Sequence, residues 1–266
     1  MSRRFMSALV LLMMAAGGHA KDDLSALEIM QAVQDRDEGD QVTQTMEMIL
    51  IDRRGNQRRR VMSSIRKDFG EDTYSILFFT EPADVRDTAF LTWDYDSYER
   101  DDDQWLYLPA LRKTKRIASR DKSGSFMGSD FSYADMTARS LNRYQFNIMK
   151  EPVVNEHAVW QIEAVPNEEE ADRTGYKRSI VFVRQDNFIV VRAVNWQAKG
   201  GITKYMEVKE LQQIDGIWVS TQVQMTSRKG KEVRHRTILF NRDTLFNQPL
   251  QDDWFAMQQL EKGPPR

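Results

Sequence analysis

Side chains suited to acid–base or metal chemistry are scarce in this sequence. It holds His19, His157 and His235, and no cysteine, in 266 residues. Without cysteine there can be no disulfide, thiolate zinc site, iron–sulfur cluster or cysteine nucleophile. Neither His157 nor His235 has a serine or carboxylate at a recognised catalytic spacing, so each is expected to be an ordinary strand or surface histidine. No G-x-S-x-G, H-E-x-x-H or Walker loop is present. The acidic run from Asp94 to Asp103 offers oxygen ligands. It lacks the central Gly and terminal Glu of a calcium loop, and a solvated hairpin loop is expected there. The expectation is therefore a protein that is not an enzyme, with no metal site and no cofactor.

Burial is the chemistry that the remaining residues suit. Between Ser123 and Met136, serines and glycines alternate with Phe126, Met127, Phe131, Tyr133 and Met136, whose side chains need burial that a surface loop does not normally supply. Gly124 and Gly128 permit positive φ and hinge motion. The segment reads either as a mobile lid closing a greasy cavity or as a long loop tucked onto the core. Met46 and Met48, with Met127 and Met136, suit an adaptable apolar pocket, although core packing accounts for methionines equally well.

Two basic clusters flank these positions. Arg53, Arg54, Arg58, Arg59 and Arg60 form a hairpin tip that either meets anionic lipid or keeps an edge strand solvated. Arg112, Lys113, Lys115 and Arg116, with Arg120 and Lys122, adjoin the Ser/Gly-rich segment. There they either contact an anionic head group or membrane surface through charge-assisted hydrogen bonds, or form a solvated face.

The elements that position these residues are mostly strands. Asp22 to Glu38 reads as an amphipathic helix, with Leu24, Leu27, Met30 and Val33 at three-residue spacing and Gly39 closing it. From Val42 onward the period is two, and Asp215-Gly216 and Lys229-Gly230 mark hairpin turns. The polar stretch 167–172 reads as a hairpin loop, and 249–260 as a final short helix. About eleven antiparallel strands cannot stay flat, so a mainly β fold is expected: a curved, incompletely closed barrel with helices on its concave face. No linker divides the chain, and one domain is expected over 21–266.

The first twenty residues read as a cleaved signal peptide, with Arg3 and Arg4 ahead of an apolar run and Gly18-His19-Ala20 at the cleavage site. That run is shorter than the ~20 residues of a membrane-spanning helix. The mature chain would be periplasmic, and without cysteine it is not a lipoprotein. A net charge of −2 argues against a nucleic-acid partner.

Asp103-Gln104-Trp105-Leu106-Tyr107-Leu108-Pro109, followed by Arg112-Lys113 and by Gly128-Ser129-Asp130-Phe131, resembles the outer-membrane lipoprotein-sorting protein family. That family is related to the periplasmic lipoprotein carrier LolA and its outer-membrane receptor LolB. The resemblance covers the mature chain and is most specific over 88–136. It implies an unclosed antiparallel barrel of LolA/LolB type with a helical lid and a cavity for acyl chains. Met46, Met48, Trp105, Tyr107, Phe126, Met127, Phe131, Tyr133 and Met136 are its expected lining and lid. It implies a monomeric carrier that moves a lipid or lipoprotein between inner and outer membrane, touches membranes transiently, and works with an inner-membrane exporter of the resistance-nodulation-division (RND) type. LolA latches its lid with an arginine on an early strand, and Arg58, Arg59, Arg60 and Arg66 all lie in that region. The same fold also implies an alternative, a periplasmic lipid-sensing regulator of envelope-stress signalling.

Overall fold

The period-two pattern folds into one continuous antiparallel sheet. The computed structural model describes residues 24–97 and 99–265, so the expected signal peptide lies outside the described residues. One meander contains β1 (Gln41–Asp52), β2 (Gln57–Phe69), β3 (Asp72–Glu81), β4 (Ala89–Asp94), β5 (Asp103–Leu108) and β6 (Lys113–Arg116). A second contains β7 (Tyr144–Lys150), β8 (Val153–Val154), β9 (His157–Pro166), β10 (Tyr176–Arg184) and β11 (Val190–Gln197). It continues through β12 (Ile202–Ile214), β13 (Ile217–Lys229) and β14 (Glu232–Phe246).

The first and last strands, β1 and β14, pair at the middle of the sheet, while β6 and β7 are its free edges. The architecture is the unclosed, mainly β one expected, with fourteen strands among the described residues in place of about eleven. The four-residue β6 and two-residue β8 are too short to display a period.

Alternation assigns each strand a face. Met48, Leu50, Met62, Leu77, Phe79, Phe90 and Leu106 point inward with Met225 and Leu239. Ile65, Ile76, Phe78, Leu91 and Trp105 point to the opposite face of the same strands. That second face is also dry, because the chain after β14 returns across it and packs Leu250, Phe255 and Leu260 there. Trp93 Nε1 donates to the Phe255 carbonyl at 2.9 Å, and Lys67 Nζ donates to Leu250 O at 3.0 Å. This returning segment consists of a 3-10 turn, Asp252–Phe255, and α3 (Gln259–Lys262), and it covers the outside of the first meander. The continuous concave-side helix expected over 249–260 is corrected on both counts.

α1 (Ala26–Gln34) does cover the inner face, placing Ala26, Ile29 and Met30 against Trp160, Ile162, Val181 and Val183. Ser25 and Glu28 form a capping box at its start. The helix stops short of the expected Glu38, since Asp35-Arg36-Asp37-Glu38 contains no apolar residue to pack another turn. α2 (Glu168–Thr174) replaces the loop expected at 167–172. Asn167 caps it, Glu168, Glu169 and Glu170 occupy its positive N-terminal turn, and Gly175 ends it in the left-handed conformation.

Candidate functional site

Residues 117–143 connect the two free edges, from the end of β6 to the start of β7, and they do so through the interior. The segment is a chain of 3-10 turns at Ser119–Asp121, Phe126–Gly128, Tyr133–Met136 and Leu141–Arg143. Phe126 is only 1% exposed, with its ring 5.0 Å from that of Phe90 and 6.3 Å from that of Phe79. Tyr133 packs edge-on against it at 5.7 Å. A connection that fills the inside of the sheet it connects occupies the place of a lid.

Polar ties along its length hold this segment down. The Arg60 guanidinium donates to the Met127 carbonyl and lies 6.0 Å from the Phe79 ring centroid. Parity with Met62 turns Arg60 inward, whereas Arg59 pairs with Glu47 and Glu81. Arg66 also turns inward but donates to the carbonyls of Glu38 and Gly39 instead. Of the four early arginines, Arg60 therefore holds the lid. Burial lowers its pKa. Met127 and Gly128 take left-handed φ values of 50° and 74°, a strain of about 1 kcal/mol at the non-glycine residue. Gly124 meets a different constraint, since a Cβ there would lie 2.9 Å from the Asp121 carbonyl oxygen.

Asp130, from the Gly128-Ser129-Asp130-Phe131 run, is buried and ties the lid to β14. Its Oδ2 accepts from the Thr237 hydroxyl at 2.7 Å and lies 2.7 Å from His235 Nδ1. The intrachain spacing of His235 gives no hint of this carboxylate partner. Asp135 Oδ2 accepts from the Tyr176 hydroxyl at 2.9 Å, and Lys204 Nζ donates to the Tyr176 oxygen at 3.0 Å. Burial raises Tyr176 well above its ordinary pKa and lowers that of Lys204. Further ties run from Gln104 Nε2 to the Tyr133 carbonyl at 2.9 Å and from Ala138 N to Asp94 Oδ2 at 2.7 Å.

With the lid in this position, a cavity of about 1240 Å³ remains between α1, the lid and the inner face. It exceeds the ~300–1,000 Å³ of ordinary small-molecule sites. Phe131, Met136, Val181, Met206 and Met225 give it an apolar wall, and Asp94, Tyr176 and Asn195 give it a polar one. Desolvation, then the neighbouring Asp102 carboxylate, push Asp94 up to about 8.

The gap between the sheet's edges is spanned by side chains. Arg173 on α2 binds the fully buried Glu170 through two bonds of 2.7 and 2.8 Å and lies 3.5 Å from Asp102. The Lys122 ammonium, completely buried, donates to the Asp102 carbonyl at 2.7 Å. Arg116 pairs with Asp103, and Tyr95 donates to the same carboxylate at 3.0 Å. Asp102 and Asp103 thus make the end of the acidic run an ion-pairing structure at the gap, because cations from α2, the lid and β6 engage them. Asp96 and Glu99 stay exposed, as expected of a solvated loop.

The structure gathers most of the residues singled out in the sequence. Met46, Met48, Phe126, Met127, Phe131, Tyr133 and Met136 share the inner apolar cluster. Trp105 and Tyr107 sit on the outer face with Trp93 and Trp254, away from the interior. Arg112, Lys113, Lys115 and Arg116 lie exposed at edge strand β6 and the turn before it, beside an exposed Leu111.

A family model described as "Uncharacterized protein" matches residues 71–262. No curated protein matches the sequence. Among solved structures, one described as an outer membrane lipoprotein-sorting protein domain from Vibrio parahaemolyticus is 32% identical, with a TM-score of 0.80 over 89% of this chain and 98% of that one. A DUF1329 family protein from Desulfovibrio piger is 28% identical, with a TM-score of 0.80 over 88% and 97%. A LolA superfamily protein from Nitrosomonas europaea shares the fold at a TM-score of 0.68 and 18% identity, over 89% and 99%. The chain belongs to the same family as the outer membrane lipoprotein-sorting protein domain from Vibrio parahaemolyticus, and its fold is LolA-like.

Proposed function

We propose that this protein is a periplasmic carrier that shelters the acyl chains of a lipid or lipoprotein and moves them between the inner and outer membranes. The observation that carries the reading is Phe126. A lid side chain fills the inside of an unclosed sheet, and between its two ends the lid is held there by side-chain ties from Arg60 to the Met127 carbonyl and from Thr237 to Asp130. Released, the lid uncovers Met48, Met62, Phe79 and Phe90, an apolar surface able to receive a hydrocarbon chain in place of Phe126.

Burying hydrocarbon contributes ~0.8 kcal/mol per CH₂ in a protein pocket or a bilayer alike. A sixteen-carbon chain gains on the order of 12 kcal/mol in either place, so transfer between them is close to neutral. Such a protein needs no bond-making step, only a closable interior and a partner that loads it. In this reading the loading partner is an inner-membrane exporter of the RND type. The basic residues Arg112, Lys113 and Lys115 meet anionic head groups during delivery.

Native mass spectrometry of the protein purified from periplasm tests the proposal. Bound lipid or acyl mass is the expected result. A protein that is empty, and that also takes up no acyl probe in solution, would overturn it. Cross-linking in intact cells that captures an RND-type exporter is the corresponding expectation for the partner.

A further inference from the structure

The open cavity differs in character from the apolar space that Phe126 fills. Carboxylates outnumber arginines in its lining by more than two to one. Three of them, Asp40, Glu71 and Asp96, are exposed where the cavity meets solvent and have no ion-pair partner among the described residues. Deeper inside, Thr92 and Asn195 project from the two meanders onto the inner face, only 2% and 4% exposed. Thr92 Oγ1 and Asn195 Oδ1 have no hydrogen-bond partner in the structure. A buried polar oxygen without a partner destabilises the fold, and a ligand that supplies a donor to it recovers the loss. Asp94, next to Thr92 along the inner face of β4, adds a carboxyl group to the same wall.

Uncompensated negative charge outside and unfilled acceptors inside favour a ligand carrying positive charge and N–H donors. Phe131, Met136, Val181, Met206 and Met225, on another wall of the same cavity, favour hydrocarbon. We propose that the cavity binds a cationic amphiphile, seating its ammonium head group against Thr92, Asp94 and Asn195 and its chain along Met206 and Met225. This rests on the carrier reading and adds a head-group class to it: cargo with an amine at its polar end is selected over cargo with a carboxylate or a neutral sugar there. Four arginines also line the cavity. Arg36, Arg66 and Arg173 are engaged by Glu38, Asp68, Glu170 and Asp102. Arg139 lies against the Tyr144 ring at 5.5 Å with its buried Nη1 unpartnered, one positive group against the three free carboxylates.

Isothermal titration of the mature protein with four twelve-carbon probes below micellar concentration tests the assignment: dodecylammonium, dodecyltrimethylammonium, dodecanoate and dodecyl maltoside. Dodecylammonium is expected to bind at least about tenfold tighter than dodecanoate or the maltoside, a difference of about 1.4 kcal/mol. The trimethyl compound, which has the charge without the donors, is expected in between. Exposed Asp40→Asn, Glu71→Gln and Asp96→Asn together, which leave the core untouched, should reduce the preference over dodecanoate at least about threefold. Asn195→Ala should bring the primary amine level with its trimethyl analogue. Equal binding of the amine and the maltoside by the wild-type protein would overturn the head-group assignment while leaving the carrier reading intact. Failure of all four probes to bind would overturn both. A preference that survives the triple variant and Asn195→Ala would assign it to non-specific attraction and likewise reject the site.

Discussion

The guanidinium of Arg173, on α2, and the carboxylate of Asp102, at the entrance to β5, face each other at 3.5 Å across the gap in the sheet. α2 links β9 to β10 near one edge, and β5 neighbours the other edge, so the pair joins regions that no strand ladder joins. An ion pair does here what backbone hydrogen bonds do in a closed barrel.

Removing that guanidinium leaves Glu170, with no exposed surface, as a buried charge without its principal partner. Arg173→Met is expected to destabilise the protein by about 3–5 kcal/mol. Arg173→Met combined with Glu170→Met should recover most of the loss, since the uncompensated charge is gone. Urea unfolding of the wild type, the single variant and the double variant measures the difference.

Arg60→Leu removes the bond to the Met127 carbonyl, a charge-assisted interaction of about 1.5–3 kcal/mol. The loss is local to the lid. Amide hydrogen exchange over 123–136 should accelerate about tenfold or more, with little change in β12 and β13. Arg58→Leu, at an exposed neighbour on the same strand, should leave exchange in the lid unchanged.

Phe126→Ala empties the centre of the inner cluster and is expected to cost about 3–5 kcal/mol. A chain that enters the vacated space stabilises the folded protein by mass action. Dodecyl maltoside should therefore raise the melting temperature of Phe126→Ala more than that of the wild type. Equal shifts would show that bound hydrocarbon does not take the place of this ring.

Asp94 makes stability depend on pH in a defined direction. Its folded pKa is pushed from 3.8 to about 8, so across that window the folded chain holds a proton that the unfolded chain releases. Its contribution is complete below pH about 4 and is lost as the pH rises towards about 8. Asp94→Asn should flatten the stability profile there, gaining on wild type by up to about 1.4 kcal/mol per pH unit between pH 5 and pH 8. Urea midpoints at the two pH values provide the comparison.

The strands were legible because Met46, Met48 and Leu50, or Leu77 and Phe79, repeat every second residue and end at turns such as Asp215-Gly216. Which face looked inward was not legible for β5. Both faces of the first meander are dry, so Trp105 and Leu106 are equally apolar and alternation carries no polarity. The outer cover comes from residues after β14, far away in sequence. Parity with Met62 removes Arg59 from the candidate arginines but leaves Arg58, Arg60 and Arg66, so the sequence alone does not single out Arg60. α2 was hidden by composition: Asn167-Glu168-Glu169-Glu170 looks like a solvated loop, yet it is also a cap followed by the acids that a helix start favours. The ion-paired gap was invisible, because Arg173 and Asp102 come together only once the sheet has curled.

Val42 and Phe246 are strand partners at the centre of the sheet, although nearly the whole described chain separates them. Every other ladder in the sheet's order joins strands close in sequence, so each meander can assemble by short loop closures. Only the β1–β14 ladder carries the full entropic cost of a distant encounter. The two meanders are therefore expected to form first as separate half-sheets, and their joining to set the folding rate. Joining the native ends and opening the chain within the lid would remove that distant encounter, leaving only residues 247–266 and the segment before β1 between the two strands.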